Sequence, residues 1–538
     1  MSRSRIVVTV VVAVVAFVSG GWLMQQQGGR SEQSVYQQAR LFDDVLSHVS
    51  GYYVDSLDER QLYRMAIDGM LRELRDPYTG FLDGRELRSL NEITSGNYGG
   101  VGLQIEVRDG AIVVVSPLPD TPAESAGVRT GDRILFVDDS TTQRLNQDQA
   151  VKVLRGVAGS RVTLKVERPG VQDLLTFRLT RALIHSRAVR LATMLENGVG
   201  YIELFSFSEA TARELGQAID SLRIAGMHSL ILDLRWNGGG LLDEGVGVAD
   251  MFLDPGQLIV ATRGRAPFAT RSISDRAPQR YPDLPLVVLV NGATASSSEI
   301  VAGALQDHDR ALIIGTTSFG KGLVQSVYPL SNSSSLKMTT AKWYTPSGRS
   351  IQRPFRLNDD RDPDAEVVRS DSAAAQDTFK TDHGRAMKGG GGIAPDVVVP
   401  QDSTEVAART RLQTALGRNV VKYTDALAAF AFDPRTRQTV TGPTFSVTPA
   451  MRQQFLGLLE QRGVRLDQQT VQATWGFIEK QLGDQTARFI FGRGGEVRRQ
   501  SSDDPVLAMA TRLAARAHTP AELLTLGAQA APATLARP

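Results

Sequence analysis

The stretch PLVVLVNGATASSSEIVAGAL (residues 285–305) joins a short, uninterrupted apolar run to a helical pattern. A continuous run of this kind is typical of a strand that is buried on both faces of a sheet. Ser296 and Glu299 form the S-x-x-E pattern of a capping box, which predicts a helix that starts at Ser296. The stretch therefore predicts a buried strand, a tight turn and a helix.

Two further apolar runs repeat this pattern on either side. They are SLILDLR (229–235) and ALIIGTT (311–317), and helical patterns lie between the runs. This alternation predicts an α/β (α+β) multidomain fold with a mixed-sheet core and layered helices. We place the core at residues 184–402, with a charged, Gly-rich and mobile surface insert at 355–395.

The segments outside this core have other patterns. They are 31–96 (helical), 97–183 (a compact β-rich domain) and 403–538 (a helical C-terminal extension). In the first segment, helical spacing predicts helices near 34–51 and 58–75. The Ala- and Pro-rich end after residue 518 is predicted to be loosely ordered.

The composition excludes several kinds of chemistry. The chain has 538 residues and no cysteine, so disulfides, thiolate metal sites and cysteine nucleophiles are excluded. Its formal net charge is +2, from 60 basic and 58 acidic residues, and it has no dense basic tract. We therefore expect no nucleic-acid partner.

The amino terminus has the pattern of an export signal. MSRSR is followed by IVVTVVVAVVAFVSGGWLM (6–24), an uncharged stretch just long enough to span a bilayer. The basic end then stays inside, and no clean small-x-small cleavage site follows. Residues 1–30 are predicted to be a membrane anchor, or alternatively a cleaved signal, with a polar linker. The rest of the chain is then in the periplasm or another extracytoplasmic space of the cell envelope.

The stretch GTTSFGKGLVQS (315–326) is close to a phosphate-binding P-loop. Gly322 stands where a P-loop has the Ser or Thr that binds magnesium, and LVQSVYPL (323–330) predicts a strand instead of a helix. A nucleotide site is therefore disfavoured. Lys321 is either an ordinary surface lysine or a residue with a chemical role.

Ser296 is a candidate nucleophile. A hydroxyl at a strand-to-helix turn lies beside free backbone N–H groups and the positive end of the helix dipole, which can stabilise an oxyanion. The alternative is a plain helix cap. None of the six histidines lies in a recognisable triad motif, and His308 is at the far end of the predicted helix.

A neutral lysine could serve as the base. The ordinary pKa of a lysine is about 10.4, and burial can lower it to near neutrality. Lys321 follows a buried strand between Gly320 and Gly322, which permit close backbone approach. A Ser–Lys dyad is therefore compatible with the sequence, although spacing alone does not establish contact.

The third stretch with a potential role is LDLRWNGGGLLDEG (232–245). Gly-rich turns after parallel strands expose backbone N–H groups at the carboxyl edge of a sheet. Gly238 or Gly239 could supply a second oxyanion donor. The alternative is a simple β–α turn.

Together, LDLRWNGGG, VNGATASSSEIVAGALQD and ALIIGTTSFGKGLVQS resemble the carboxyl-terminal processing (tail-specific) protease family, whose members are Ser–Lys serine peptidases with a PDZ domain. DPYTGFLD (76–83) and GRAMKGGGGIAPD (384–396) also fit this family, and the likeness extends from about 34 to 400. The resemblance implies roles for the following residues: Ser296 as nucleophile, Lys321 as general base, Gln325 as the group that orients the lysine, Glu299 in support, and the backbone N–H groups of Ser297 and of the Gly238–Gly239 turn as oxyanion donors. It implies no metal and no other cofactor.

The β-rich domain at 97–183 then resembles the family's PDZ domain. YGGVGLQI (98–105) resembles the loop that binds a peptide's terminal carboxylate, through N–H groups of Gly100, Val101, Gly102 and Leu103. Such a peptide would add as a strand to the edge of the sheet. The side chain of Leu103 would face either the bound tail or the domain's core.

These expectations describe a serine endopeptidase that recognises protein C-termini and processes proteins of the cell envelope. The alternative is a catalytically silent, membrane-tethered PDZ scaffold. Expected partners are protein or peptide substrates and, through the N-terminal segment, the membrane. The helical extension could be a homo-oligomer contact, an adaptor surface or a plug.

Overall fold

The computed structural model describes residues 35–108, 111–168, 171–331, 333–353, 355–356, 368–369, 378–400 and 402–530. The predicted anchor and linker, and residues 357–367 and 370–377 of the predicted insert, lie outside these residues. Within the described ranges, no helix is both long enough and apolar enough to cross a membrane. The chain divides into two compact units, Met1–Asp83 with Ser326–Thr339, and Gly84–Gln325 with Thr340–Pro538.

The first unit confirms the two predicted N-terminal helices, α1 (35–52) and α2 (Glu59–Glu73). Helix α2 starts where the side chain of Asp58 accepts a hydrogen bond from the N–H of Arg60 (2.9 Å). The following DPYTGFLD stretch forms a turn and then a strand, β1 (Gly80–Leu82), that the sequence did not predict. It pairs antiparallel with residues 335–337, more than 250 positions later. Because the partner is so distant, no local sequence pattern predicts this strand.

The second unit begins with helix α3 (Gly84–Ser95) and continues as the β-rich region. Its strands are β2 (Asn97–Gly100), β3 (Leu103–Arg108), β4 (Ala111–Pro117), β5 (Arg133–Val137), β6 (Ser140–Thr141), β7 (Arg161–Glu167), β8 (Leu175–Thr180) and β9 (Ala182–His185). Helices α4 (Pro122–Ser125) and α5 (Gln147–Leu154) lie between them. The sheet has the order β3-β4-β5-β7-β8, with β6 beside β5, so β3 is an edge strand. Strands β2 and β9 pair with each other at the entrance and exit of the region.

The core of the second unit is a six-stranded sheet with helices on it. The strands that follow β9 along the chain are β10 (Val189–Met194), β11 (Val199–Leu204), β12 (Ser229–Asp233), β13 (Leu258–Gly264), β14 (Arg271–Ser274), β15 (Leu286–Val290), β16 (Leu312–Gly315), β17 (Leu323–Pro329), β18 (Ser335–Tyr344), β19 (Phe355–Arg356), β20 (Val368–Arg369), β21 (Thr378–Lys380), β22 (Ala386–Lys388) and β23 (Val397–Val398). Strands β17 and β18 each include residues of the first unit. The main sheet has the order β10-β11-β12-β15-β16-β23, and only the β10–β11 pair is antiparallel. The predicted α/β class with a mixed-sheet core is therefore confirmed.

Three helices belong to this core, and the helical patterns between the apolar runs predicted the second and the third of them. They are α6 (Thr211–Ile224), α7 (Leu242–Asp250) and α8 (Ser297–Asp307). Every residue of α8, β12 and β15 is buried, which explains why their sequences show no polar face.

The extension is helical, as predicted. Its helices are α9 (Ser403–Leu416), α10 (Val420–Phe432), α11 (Pro434–Thr439), α12 (Pro449–Gln461), α13 (Gln468–Asp503), α14 (Pro505–Ala514) and α15 (Pro520–Ala530). The prediction that the chain is loosely ordered after residue 518 was wrong for α15. Leu523 on α15 is buried, and Gly527 approaches Leu312 of the sheet so closely that a Cβ would lie 2.3 Å from it. Burial against the sheet stabilises this helix, and no local pattern in the sequence encodes that.

Candidate active site

Three turns meet at the carboxyl edge of the main sheet. The first turn (234–241) follows β12, the second turn (291–296) follows β15, and the third turn (316–322) follows β16. Because β12, β15 and β16 are parallel neighbours, their carboxyl ends lie side by side. The topology therefore brings together the three stretches that carried the sequence prediction.

Hydrogen bonds hold these turns together. The N–H of Ala295 donates to the carbonyl oxygen of Asn237 (3.0 Å). The hydroxyl of Thr294 donates to the carbonyl oxygen of Leu234 (2.8 Å). The N–H of Phe319 donates to the carbonyl oxygen of Thr294 (2.9 Å). The second turn is thus fixed on both sides, so residues around Ser296 have little freedom.

Ser296 occupies a strained position at the start of α8. Its backbone has φ 57° and ψ −117°, outside the regions that non-glycine residues favour. Such strain persists only where surrounding contacts enforce it, and it is common at functional sites. The strained turn places the half-buried Ser296 at the amino end of the helix dipole.

Burial distinguishes the three consecutive serines, 296–298, from one another. The Ser297 hydroxyl donates to the carbonyl oxygens of Gly240 and Leu241, both at 3.0 Å, and the Ser298 hydroxyl donates to that of Asn237 (3.0 Å). Ser297 and Ser298 are buried, whereas Ser296 is half-buried. Ser296 is therefore the member of the run that a substrate can reach.

Glu299 connects the turn of Ser296 to that of Lys321. One carboxylate oxygen accepts hydrogen bonds from the backbone N–H groups of Ser296 (2.8 Å) and Lys321 (2.9 Å). The other accepts from the N–H of Gly320 (2.7 Å) and the hydroxyl of Ser318 (2.5 Å). Because one oxygen atom binds both amides, the backbones of Ser296 and Lys321 are adjacent.

Burial also affects the charge of this carboxyl. Glu299 is fully buried, and burial raises its pKa, while the hydrogen bonds that it accepts oppose the rise. The predicted capping role is present, since Glu299 reaches back to the N–H of Ser296. The sequence did not predict that the same carboxylate also binds the third turn.

The backbone of Lys321 is held on its other side as well. Its carbonyl oxygen accepts from the indole Nε1–H of Trp343 (3.0 Å), and the N–H of Gly322 donates to the side chain of Gln352 (2.8 Å). Lys321 is half-buried. Gln325 is half-buried too and lies in β17, the strand that excludes a P-loop here.

The first turn lies directly against Ser296. Gly239 has φ 89°, and a Cβ on it would lie 2.6 Å from the Ala295 carbonyl oxygen, 2.8 Å from the Ser296 Cβ and 2.9 Å from the Ser297 nitrogen. Only glycine permits this approach. The Gly239 N–H donates to the Asn237 side chain (2.9 Å), and a Cβ on Gly238 would meet no atom within 4 Å.

Gly239→Ala should therefore damage the site, whereas Gly238→Ala is a matched control. We expect Gly239→Ala to reduce peptide turnover by on the order of 10²-fold, because the methyl group displaces the Ser296 turn. We expect Gly238→Ala to stay within a few-fold of the parent, since the space beside it is open. Steady-state kinetics of the two purified variants, with thermal unfolding as a check on folding, tests this, and equal activities would contradict the packing argument.

The four residues of the predicted carboxylate-binding loop line a separate cavity. This cavity has a volume of about 100 Å³ and lies between β3 and α5, with Val151 and Leu154 on its helical side. Gly100, Val101, Gly102 and Leu103 line it, and Leu103 also packs against the core of the β-rich region. Leu103 thus contacts the core of the β-rich region and also lines the cavity.

One residue that supports the site carried little signal in the sequence. Ser318 is buried, donates to Glu299 and accepts from the N–H of Ile393 (2.6 Å), which lies in the GGGGI segment. In the sequence, only the position of Ser318 inside GTTSFGKG indicated that it could have a role at the site. His308 caps the far end of α8, where it contacts Asp382 (2.7 Å), and so it lies away from Ser296.

Comparison with known proteins agrees with these features. Three family models match the chain: peptidase family S41 (residues 198–367), a PDZ domain (113–168) and the activating protease CtpB N-terminal domain (19–85). A carboxy-terminal-processing protease of Bartonella bacilliformis is 40% identical over 350 residues, 63% of this chain and 80% of that protein. The carboxy-terminal processing protease CtpA of Bacillus subtilis is 34% identical over 351 residues, 65% of this chain and 74% of that protein.

A solved structure is also similar in sequence. The photosystem II D1 C-terminal processing protease is 35% identical and covers 58% of this chain and 83% of its own, with a TM-score of 0.36. The chain therefore belongs to the carboxy-terminal processing proteases of peptidase family S41, which are serine-type endopeptidases, and it carries a PDZ domain.

Proposed function

We propose that this protease cleaves peptide bonds with a dyad of Ser296 and Lys321. The observation that supports the pairing best is the shared carboxylate oxygen of Glu299, which binds the amides of both residues at 2.8 and 2.9 Å. Two residues whose backbones are held side by side can bring a hydroxyl and an amine within hydrogen-bond reach. The strained turn at Ser296 supports the same assignment.

In the proposed reaction, the Ser296 Oγ attacks the carbonyl carbon of the scissile bond while the neutral Lys321 Nζ takes the hydroxyl proton. The tetrahedral intermediate carries its negative charge on the former carbonyl oxygen. It then collapses, the C–N bond breaks, and Lys321 returns the proton to the leaving amine. Water attacks the acyl-enzyme by the same route and releases the second product.

The oxyanion is assigned to backbone donors beside Ser296. These are the N–H of Ser297, at the first turn of α8, and an N–H of the Gly238–Gly239 turn, which lies against Ser296. In the described structure the Gly239 N–H donates to Asn237. The Gly239 N–H would have to give up this hydrogen bond before it could bind the oxyanion, whereas a fixed donor without a partner needs no reorganisation during the reaction. Gln325 is assigned to positioning Lys321.

Substrates are captured by their C-termini in the PDZ domain. The small cavity between β3 and α5 is lined by the loop Gly100 to Leu103 and by apolar side chains, which suits a terminal carboxylate and an apolar last residue. The edge position of β3 leaves one side of that strand open to an added peptide strand.

The arrangement of the chain follows from these roles. We assign residues 97–183 to the PDZ domain, 184–402 to the protease core and 403–538 to a helical extension. Residues 1–30 are assigned to the anchor or signal, which places the enzyme outside the cytoplasmic membrane and makes proteins of the cell envelope its substrates. For the extension, the alternatives are a contact with a second copy, an adaptor surface and a plug.

This function is tested with one peptide sequence that is prepared in two forms, which differ only in the C-terminal group. A peptide that ends in a free carboxylate should be cleaved at least several-fold faster than the same peptide with a C-terminal amide, because the amide removes the charge that the loop binds. Ser296→Ala should cleave neither peptide. Equal rates on the two tails would contradict capture, and cleavage by Ser296→Ala would contradict the dyad.

A further inference from the structure

A cavity of about 430 Å³ lies between the extension and the edge of the main sheet opposite the proposed active site. One wall is the turn at 196–197, which joins β10 to the amino end of β11. The other walls include the end of α13, helix α14 and residues 515–516, which follow α14. The turns around Ser296 follow the carboxyl ends of strands parallel to β11, so the cavity is separate from them. Its volume is in the range of small-ligand sites.

This cavity is positively charged. Three arginines line it, which we call the cavity arginines: Arg498 on α13, Arg512 on α14 and Arg516 just after α14. The lining has a single carboxylate, that of Glu196. Because a guanidinium stays protonated in proteins, the lining carries two net positive charges. Like charges around one cavity repel one another, and a bound anion would relieve that repulsion.

The cavity arginines lack acidic partners. Arg493, on the same helix as Arg498, contacts Glu203 (3.0 Å), whereas no cavity arginine is in an ion pair with any residue that the structure describes. Their side-chain contacts are weak: a nitrogen of Arg498 lies 3.5 Å from the Thr193 hydroxyl, and one of Arg512 lies 2.9 Å from a methionine sulfur. Each guanidinium has five N–H donors, so most of these donors are available to a ligand.

A buried hydroxyl in the same cavity also lacks a partner. Thr511 lines the cavity next to Arg512, and its Oγ1 is buried without a hydrogen bond to any of the described residues. A buried hydroxyl that forms no hydrogen bond is unfavourable for the free protein. An anion in the cavity would supply the acceptor that this hydroxyl lacks.

The charge of the lining favours a phosphate monoester over a carboxylate. A phosphate monoester carries about −1.5 to −2 charges near neutral pH and has three terminal oxygens. It therefore balances the two net positive charges of the cavity. The planar fork of a guanidinium binds two phosphate oxygens at once. A single carboxylate would neutralise only half of the excess charge.

We propose that this cavity binds a phosphate monoester, whose terminal oxygens accept hydrogen bonds from the cavity arginines and from the Thr511 hydroxyl. The ester is either a small soluble molecule or a phospholipid headgroup that ends in a phosphate, because both present the same group. The extension then carries a ligand site of its own. This inference does not depend on the roles proposed for Ser296 and Lys321.

The experiment is isothermal titration of the full chain with glycerol 3-phosphate at constant ionic strength. We expect saturable binding by the parent, and binding about 10- to 100-fold weaker for Arg512→Gln and for Arg516→Gln, since each removes charge-assisted hydrogen bonds. Glu196→Gln should bind several-fold more tightly than the parent, because it removes the carboxylate that repels the ligand. Arg418→Gln is the control, at an exposed arginine between α9 and α10 and outside the cavity lining.

Two results of these titrations would overturn the site. One is the absence of saturable binding by the parent. The other is equal weakening by Arg418→Gln and by the cavity variants, which would show that the ligand responds only to the overall charge of the protein.

Thr511→Val tests the hydroxyl separately from the charges. This substitution keeps the branched shape and removes a buried hydroxyl that has no partner, so thermal unfolding without ligand should occur at the parent temperature or above it. Affinity for glycerol 3-phosphate should fall several-fold. Unchanged affinity in this folded variant would overturn the proposed contact between Thr511 and the ligand.

Further ligands identify the source of the phosphate. Dihexanoyl phosphatidic acid has a terminal phosphate, whereas dihexanoyl phosphatidylcholine has none and should not bind. Tighter binding of the phosphatidic acid than of glycerol 3-phosphate would identify a lipid headgroup, and equal binding a soluble ester. Glutarate carries two charges on carboxylates, and binding as tight as that of glycerol 3-phosphate would overturn the choice of phosphate.

Discussion

Replacing Ser296 with alanine should lower kcat for a peptide substrate by on the order of 10⁴-fold or more, since the nucleophile of the proposed reaction is removed. The substitution deletes one oxygen atom from a half-buried side chain and leaves the backbone turn in place. The midpoint of thermal unfolding should therefore stay within a few degrees of the parent. Substantial turnover by the folded variant would contradict the assignment.

Lys321 provides the second half of this prediction. Lys321→Arg retains the positive charge, but a guanidinium does not give up its proton at any pH where the protein is folded, so it cannot act as the base. We expect a loss of kcat comparable to that of Ser296→Ala. Lys342→Ala, at an exposed lysine of β18, is the matched control and should retain activity.

Glu299→Gln should impair both stability and turnover. The carboxylate accepts four hydrogen bonds inside the protein, and the amide of glutamine replaces one accepting oxygen with a donor group. Two buried donors then face another donor, which should lower the free energy of unfolding by about 2–4 kcal/mol. The displaced turns should reduce kcat by on the order of 10²-fold at a temperature where the variant is folded. Denaturant unfolding and steady-state kinetics measure the two effects separately.

Gln306→Met is the control for Glu299. Gln306 lies on the same helix, is fully buried, and binds Arg349 (2.7 Å) and the carbonyl oxygen of Ala394 (2.9 Å) at the end far from Ser296. Its loss should also destabilise the protein, yet turnover of the folded variant should be close to that of the parent. If both variants lost activity in proportion to their stability, Glu299 would have no positioning role.

The sequence predicted the three turns because each follows an apolar run that only a buried strand explains. Parallel neighbours then place the turns at one edge without further information. The sequence could not choose between Gly238 and Gly239, since both lie in the same Gly-rich turn after β12. The distinction is tertiary: a Cβ on Gly239 would meet Ser296, and one on Gly238 would meet nothing.

Contacts between distant segments explain the rest of what the sequence missed. The cap from Glu299 to Ser296 is local and was predicted, whereas its bonds to Gly320 and Lys321 join residues more than twenty positions apart. Strand β1 and helix α15 are stabilised by partners hundreds of residues away, β1 by residues 335–337 and α15 by Leu312. Helical and strand periodicity in the sequence cannot predict such distant partners.

The most direct test of the central claim is covalent labelling of the enzyme by a serine-reactive phosphonate, followed by intact-mass and peptide-mass measurement. The account predicts one added phosphonyl group, located on Ser296, absent in Ser296→Ala and formed far more slowly in Lys321→Arg. Equal labelling rates in the parent and in Lys321→Arg, or a label on any other residue, would contradict a nucleophile activated by this lysine.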